Sequence, residues 1–148
     1  MTEALKQKIK KIFKEQRFAV IATQDNNEPY TNLVTFLSNE DLEKIYFPTS
    51  KKTQKFKNLS RNSRISILID NRGNKPKDIQ NAMAVTAVGK TSEIYDHKIN
   101  NDFLKKHPYL VDFINSKDCT MIEINIDKYI VVDNFQNVDV LNIKNENV

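Results

Sequence analysis

Glycine is almost missing from this sequence: Gly73 and Gly89 are the only two in 148 residues. Without closely spaced glycines, neither a dinucleotide-binding fingerprint nor a Walker-type phosphate loop can form. Cys119 stands alone, which excludes an intrachain disulfide and a cysteine-cluster metal site. The two histidines, His97 and His107, lie ten apart in a segment with helical periodicity. A metal site built on them would need carboxylate help, and they read as surface residues. No apolar run approaches the length of a membrane span. The N-terminal residues carry charge in an amphipathic pattern and no apolar signal region, so the expected compartment is the cytoplasm. Acidic residues scatter over turns, no carboxylate pair stands out, and nothing resembles a nucleophile elbow.

What is present is a globular composition, 39% hydrophobic and 28% charged, with no internal repeat. The chain is expected to form one domain over residues 1–148, with 144–148 as a frayed tail. Net charge is +4 and unevenly spread: residues 1–20 carry +4, residues 51–64 carry +6, and the rest carries −6. A general nucleic-acid binder is more often basic throughout, so the asymmetry favours localised anionic ligands.

The stretch FPTSKKTQKFKNLSRNSR, residues 47–64, carries that local charge in Lys51, Lys52, Lys55, Lys57, Arg61 and Arg64, with no acidic residue between them. It follows the strand-like Ile45-Tyr46-Phe47. Thr49 and Ser50 are good N-cap residues, and Phe56 and Leu59, three apart, mark the apolar face of a short helix. A helix N-terminus ringed by the hydroxyls of Thr49, Ser50 and Thr53, with Lys55 inside it, suits a phosphate. The plainer reading, a capped basic helix that is simply solvated, fits the spacing equally well.

Around this stretch the pattern is mostly β. Residues 3–16 have helical period through Leu5, Ile9, Ile12 and Phe13, with lysines on the other side, and read as a helix packed across a sheet. Residues 18–23 and 30–37 form a hairpin about Asp25-Asn26-Asn27, and residues 42–47 and 65–69 are further strands. Residues 71–81 read as a loop. Residues 82–94 are a long strand with a bulge or close approach at Gly89. Two short helices are expected on either side of Pro108, within residues 97–116. Residues 119–126, 129–132 and 138–143 are the last strands.

The run Ile45-Tyr46-Phe47, Thr49-Ser50, Thr53-Gln54-Lys55, Asn58-Leu59, Asn62-Ser63-Arg64-Ile65 resembles the FMN-binding split-barrel family, the pyridoxamine-phosphate-oxidase-like flavoproteins. The likeness extends upstream through residues 18–23, Glu28-Pro29-Tyr30 and residues 32–36, so it covers about residues 9–94. It implies a mainly β fold: a six-stranded antiparallel split barrel with an N-terminal helix, a phosphate-binding helix after the third strand, and a helical pair before the last strands. It also implies a homodimer with FMN in the subunit interface.

By the same resemblance, Lys55 grips the FMN phosphate, with donors from Thr49, Ser50 and Thr53. Asn32, Leu33, Val34 and Thr35 run beside the ring, Phe47 and Pro48 shape its edge, and Gln80 and Asn81 reach in from the partner subunit. Two departures matter. The C-terminal arginine and histidine pattern of true pyridoxine-phosphate oxidases is not visible in residues 129–143, which argues against vitamin B6 oxidation. Gln54 stands where a second basic residue is common, which leaves a deazaflavin or haem as alternative cofactors.

Three functions follow as expectations. The first is an FMN-dependent oxidoreductase acting on a small-molecule substrate, with the redox chemistry carried by the flavin. The second is a flavin-binding protein for storage or regulation, without turnover. The third is a single-stranded nucleic-acid module stacking bases on Phe18, Tyr30, Tyr46 and Phe47. Those aromatics alternate with aliphatic residues in strong strand patterns, which favours core packing.

Overall fold

The computed structural model describes residues 2–144, so residues 145–148 of the expected frayed tail lie outside the described residues. The chain opens with helix α1 (Thr2–Glu15), whose Ile9, Ile12 and Phe13 are buried as the period predicts. Strands β1 (Phe18–Asp25) and β2 (Glu28–Thr35) form the expected hairpin. Asn26 and Asn27 both adopt positive φ at its tip, the conformation that asparagine tolerates best after glycine.

The expected single strand over residues 30–37 is interrupted at Phe36. The chain continues as β3 (Leu37–Ser38), and the two halves have different partners: β2 pairs with β1, and β3 pairs with β4 (Lys44–Ser50). Phe36 is fully buried and meets Phe13 edge-on at 5.7 Å. An inward-facing side chain thus marks the point where the strand bends from one edge of the sheet to the other.

Helix α2 (Gln54–Arg61) and β5 (Arg64–Asp70) follow. The expected loop over 71–81 ends in a single helical turn, α3 (Asp78–Asn81), and leads to β6 (Met83–Ile94). Helices α4 (His97–Lys106) and α5 (Val111–Ile114) flank a short 3₁₀ turn that begins at Pro108, as the proline predicts. The stretches 119–126 and 129–132 are one strand, β7 (Cys119–Asp133), and β8 (Asn137–Asn142) pairs with its second half.

The sheet runs β2-β1-β5-β6-β7-β4-β3, with β8 on β7. It has eight strands rather than six. If β2 and β3 are taken as one bent strand, six strands make the barrel and β8 is an addition at the β7 edge. Because β2 and β3 lie at opposite ends of the order yet are joined through Phe36, the sheet curls round on itself.

Gly89 is a point of close approach. The β6–β7 register shifts between Val88 and Gly89, so Asp127 bulges out of β7 unpaired. A Cβ on Gly89 would lie 2.1 Å from the Asn125 carbonyl oxygen. The bulged Asp127 is used three times: its carboxylate accepts from Arg64 at 2.7 Å, and its carbonyl accepts from Ile143 N at 2.9 Å and from Lys144 N at 3.0 Å.

The barrel interior is apolar, with Ile21, Ile45, Phe47, Ile67, Val85, Ile124 and Tyr129 fully buried. Tyr129 donates its hydroxyl to the Leu42 carbonyl at 2.7 Å and holds the β3–β4 turn where Leu42 takes a positive φ of 62°. The outer face of the sheet is also apolar in its middle row. Paired positions run Leu33, Val20, Leu68, Thr86, Ile130, Val140 across six strands. Leu33 and Val140 are exposed and the others only half-buried. Phe18, on the same face, is 57% exposed, so it is not the core residue its pattern suggested, and Tyr30 is also exposed. Tyr46 and Phe47 are buried, which removes them as stacking platforms.

Candidate functional site

The expected strand, turn and helix over residues 45–61 are present, with one correction. Thr49 and Ser50 end β4, and the helix is capped instead by Thr53, whose hydroxyl accepts from Phe56 N at 3.3 Å. Ser50 organises the turn. Its carbonyl accepts from Thr53 N and from the Thr53 hydroxyl at 2.8 Å, and its own hydroxyl accepts from Lys52 N. Thr49 is 1% exposed and its hydroxyl stands 3.2 Å from that of Thr53. Thr49 therefore fixes the turn from within, while Ser50 stands at its surface. Among the described residues, the N–H groups of Gln54 and Lys55 have no protein acceptor. Two donors of the first helical turn are left for a ligand.

Most of the local +6 is neutralised in the fold. Lys51 lies 3.8 Å from Glu93, Lys52 3.1 Å from Asp118, Arg61 3.2 Å from Asp25 and Arg64 2.7 Å from Asp127. Among the described residues, Lys55 and Lys57 have no carboxylate at ion-pair distance. Lys57 is exposed and solvated, but Lys55 is half-buried, and burial holds its ammonium below the usual lysine range. A partly desolvated cation at the open N-terminus of a helix is an unmet demand for an anion.

The helix is anchored by a residue whose role the sequence reading missed. Asn58 is fully buried; its amide donates to the Thr23 hydroxyl of β1 at 3.0 Å and accepts from Gln54 at 2.8 Å. The signal was there: Asn58 adjoins Leu59 on the apolar stripe of α2, where a polar side chain has to find a buried partner. Gln54, at the position where a base is common, is thus spent on holding Asn58.

The second part of the site is a seam. The β3–β4 ladder pairs Leu37 with Tyr46 and Ser38 with Ile45. Extended in the same register, it would set Thr35 against Pro48, Val34 against Thr49 and Leu33 against Ser50, but it stops. Instead β2 keeps its ladder with β1, and Pro48 has no N–H to offer a new partner. The barrel is therefore split between the edges carrying Asn32, Leu33, Val34 and Thr35 on one side and Phe47, Pro48, Thr49 and Ser50 on the other. Backbone N–H and C=O groups along such edges are open to a planar polar ligand.

The two lips contribute mainly backbone. Val34, Phe47 and Pro48 turn their side chains into the protein, whereas Asn32 and Thr35 are half-buried and Leu33 is exposed. Gln80 and Asn81 are elsewhere. They precede β6, whose Met83 pairs with Asp133 at the far end of β7, whereas Ser50 pairs with Cys119 at its beginning. Within one subunit they do not reach the turn.

Neither histidine faces the seam. His107 is buried rather than on the surface as expected. Its Nε2 lies 2.9 Å from the Phe36 carbonyl oxygen, and desolvation lowers its pKa. His97 opens α4 beside a different cavity, of about 210 Å³, with Asp96 and Cys119. No cluster of metal-ligating side chains occurs among the described residues, and none of their helices is long and apolar enough to cross a membrane.

Residues 5–133 match the family described as pyridoxamine 5'-phosphate oxidase. The chain belongs to that family. Among solved structures, the general stress protein 26 of Bacillus anthracis str. Sterne shares the fold at a TM-score of 0.73, with 19% identity over 94% of this chain and 98% of that one. The haem storage protein HutZ of Vibrio cholerae does so at 0.71, with 16% identity over 90% and 92% of the two chains. An FAD-binding protein of Mesorhizobium loti does so at 0.65, with 20% identity over 84% and 90%. No curated protein matches the sequence. One fold thus carries both a haem storage protein and an FAD-binding protein among these structures, so the fold by itself does not choose a ligand.

Proposed function

We propose that this protein binds FMN in the split between β2 and β4 and, as a homodimer, passes electrons through it to a small-molecule substrate. The observation that carries the reading is Lys55, half-buried and, among the described residues, without a carboxylate partner, at the open N-terminus of α2. Lys55, the Ser50 hydroxyl and the free N–H groups of Gln54 and Lys55 would hold the phosphate. Edge backbone at residues 32–35 and 47–49 would run beside the ring. Bound FMN supplies hydride and single-electron exchange; the chain's own residues hold it, orient it and keep one edge of it out of water. A deazaflavin ending in a phosphate group is held by the same cradle. Haem finds less support, because the imidazole of His107 is already bonded to Phe36 and His97 lines a different cavity, with Asp96 and Cys119. A storage or regulatory role without turnover uses the same contacts, and NAD(P)H consumption by the FMN-loaded protein separates it from a reductase.

The dimer is part of the proposal. Among the described residues nothing covers the exposed ends of the apolar row from Leu33 to Val140 on the outer face of the sheet, and Gln80 and Asn81 reach a cofactor turn only if it belongs to a second copy. Leu68→Lys, in the middle of that row, is expected to convert a dimer into a folded monomer in sedimentation velocity and to weaken FMN binding with it. A variant that stays dimeric, or a monomer that binds FMN as tightly as the parent, contradicts the interface.

A further inference from the structure

A second concentration of positive charge lies away from the phosphate turn. Between α1, β3 and the end of α4 there is a groove of about 390 Å³, lined by Lys10, Phe13, Lys14, Leu37, Ser38 and Lys106, with Asn39 and Glu40 at its edge. It opens beside β3, which pairs with the Ile45 end of β4, whereas the phosphate turn leaves the Ser50 end. Five residues of extended strand separate the two, about 17 Å.

Lys106 is its central feature. The ammonium donates to the Phe13 carbonyl at 2.8 Å and sits 3.9 Å from the centroid of the Phe36 ring. Both contacts are partial compensation: a carbonyl near the end of α1 and a ring face each favour a cation, and neither carries a negative charge. Among the described residues, no carboxylate lies at ion-pair distance from it. The charges that surround it are Lys10 and Lys14 of α1, Arg17 just beyond α1, Glu40 of the β3–β4 turn and the imidazole of His107, so Glu40 is the single acid among them. A half-buried cation with cationic neighbours is costly unless an anion completes it. The floor, formed by Phe13 and Leu37, is apolar, and the volume exceeds what an inorganic ion needs.

We propose that this groove binds an organic dianion, a phosphate monoester on an apolar ring or chain, with Lys106 at its base, Lys10 and Lys14 at its rim, and Phe13 and Leu37 against its body. The site is separate from the phosphate turn. Its affinity is expected to fall as pH rises from about 7 to 9, because burial first, and the Arg17 charge second, bring the Lys106 pKa down to about 8.

The test is calorimetric titration of the whole protein with phenyl phosphate, with and without saturating FMN, and with phenol and inorganic phosphate as controls. One saturable site for phenyl phosphate, unaffected by FMN, weaker for inorganic phosphate and absent for phenol, is the expected result. In Lys10→Gln/Lys14→Gln the affinity should drop about tenfold, and in Lys106→Met it should be lost, in line with removal of charge-assisted hydrogen bonds. Lys10 and Lys14 lie on the surface of the groove, so the double variant decides the matter even if Lys106→Met does not fold. Displacement by FMN would move the binding to the phosphate turn and overturn the proposal. So would equal affinity in the double variant, equal binding of phenol, or no saturation below about 10 mM, weaker than any specific pairing of charges should give.

Discussion

Lys55→Ala is expected to weaken FMN binding by about 1.5 to 3 kcal/mol, roughly tenfold to a hundredfold, and to leave riboflavin binding unchanged. The size follows from what Lys55 lacks. Lys51, Lys52, Arg61 and Arg64 are each answered by a carboxylate from another part of the chain, so their charge is largely spent before a ligand arrives. Of the six bases in this stretch, Lys55 alone combines partial burial with no such partner among the described residues, so a phosphate placed there gains a charge-assisted bond and relieves a desolvated cation. Lys52→Ala is the matched control. Its ammonium is exposed and paired with Asp118, and its loss should change FMN affinity by less than about 0.5 kcal/mol. Fluorescence titration of the two variants with FMN and riboflavin checks both statements. Equal losses in the two would mean that the turn acts through its summed charge and not through Lys55.

The largest effect on stability is expected at Gly89. A methyl group there would meet the Asn125 carbonyl oxygen at 2.1 Å and its carbon at 2.9 Å, both backbone atoms of the paired strand, and a rotamer change relieves neither clash. Gly89→Ala must therefore push β6 from β7 at the bulge, where Asp127 also holds Arg64 and the end of β8. The cost should be about 3 kcal/mol or more, seen as a melting temperature lower by roughly 6 to 12 °C. Gly73→Ala is the contrast. The nearest atom to its added carbon is an Asp78 side-chain oxygen at 3.9 Å, and the change should stay within about 0.5 kcal/mol. Thermal denaturation of both variants is the measurement, and a Gly89→Ala protein as stable as its parent would show that the strand pair yields at the bulge.

Legibility in the sequence differed with the range of the interaction. Helix α1, the β1–β2 hairpin, the long β6 and the proline-divided helices were visible because periodicity, asparagine turns and Pro108 act locally. Gly89 was recognisable as a bulge or close approach because an isolated glycine in a strand pattern has few other uses. The break at Phe36 was not visible, since residues 30–37 continue one strand pattern and only the change of pairing partner divides them. The continuity of β7 was hidden for the opposite reason: the bulged Asp127 interrupts an alternation that the backbone does not interrupt.

In the candidate site, Ser50, Thr53 and Lys55 are legible in the chain alone, but Thr49 and Ser50 place the cap three or four residues early, because Thr49, Ser50 and Thr53 are all plausible caps. The neutralisation of four of the six bases comes from Asp25, Glu93, Asp118 and Asp127, residues distant in sequence that composition shows only as the balancing negative charge. The anchoring of α2 through Asn58 and Thr23 is likewise a long-range contact. His107 was misjudged because helical periodicity does not reveal that a ring nitrogen will find a carbonyl at Phe36.

The most direct test of the central claim is titration of the apo protein with FMN and with riboflavin, followed by flavin fluorescence at two salt concentrations. The two ligands share the ring and differ in the phosphate. The phosphate cradle at Ser50, Lys55 and the α2 N-terminus predicts tight FMN binding, riboflavin binding at least about tenfold weaker, and salt weakening the FMN complex more than the riboflavin complex. Equal affinity for the two, or no binding of either, would contradict the assignment of the turn to a flavin phosphate.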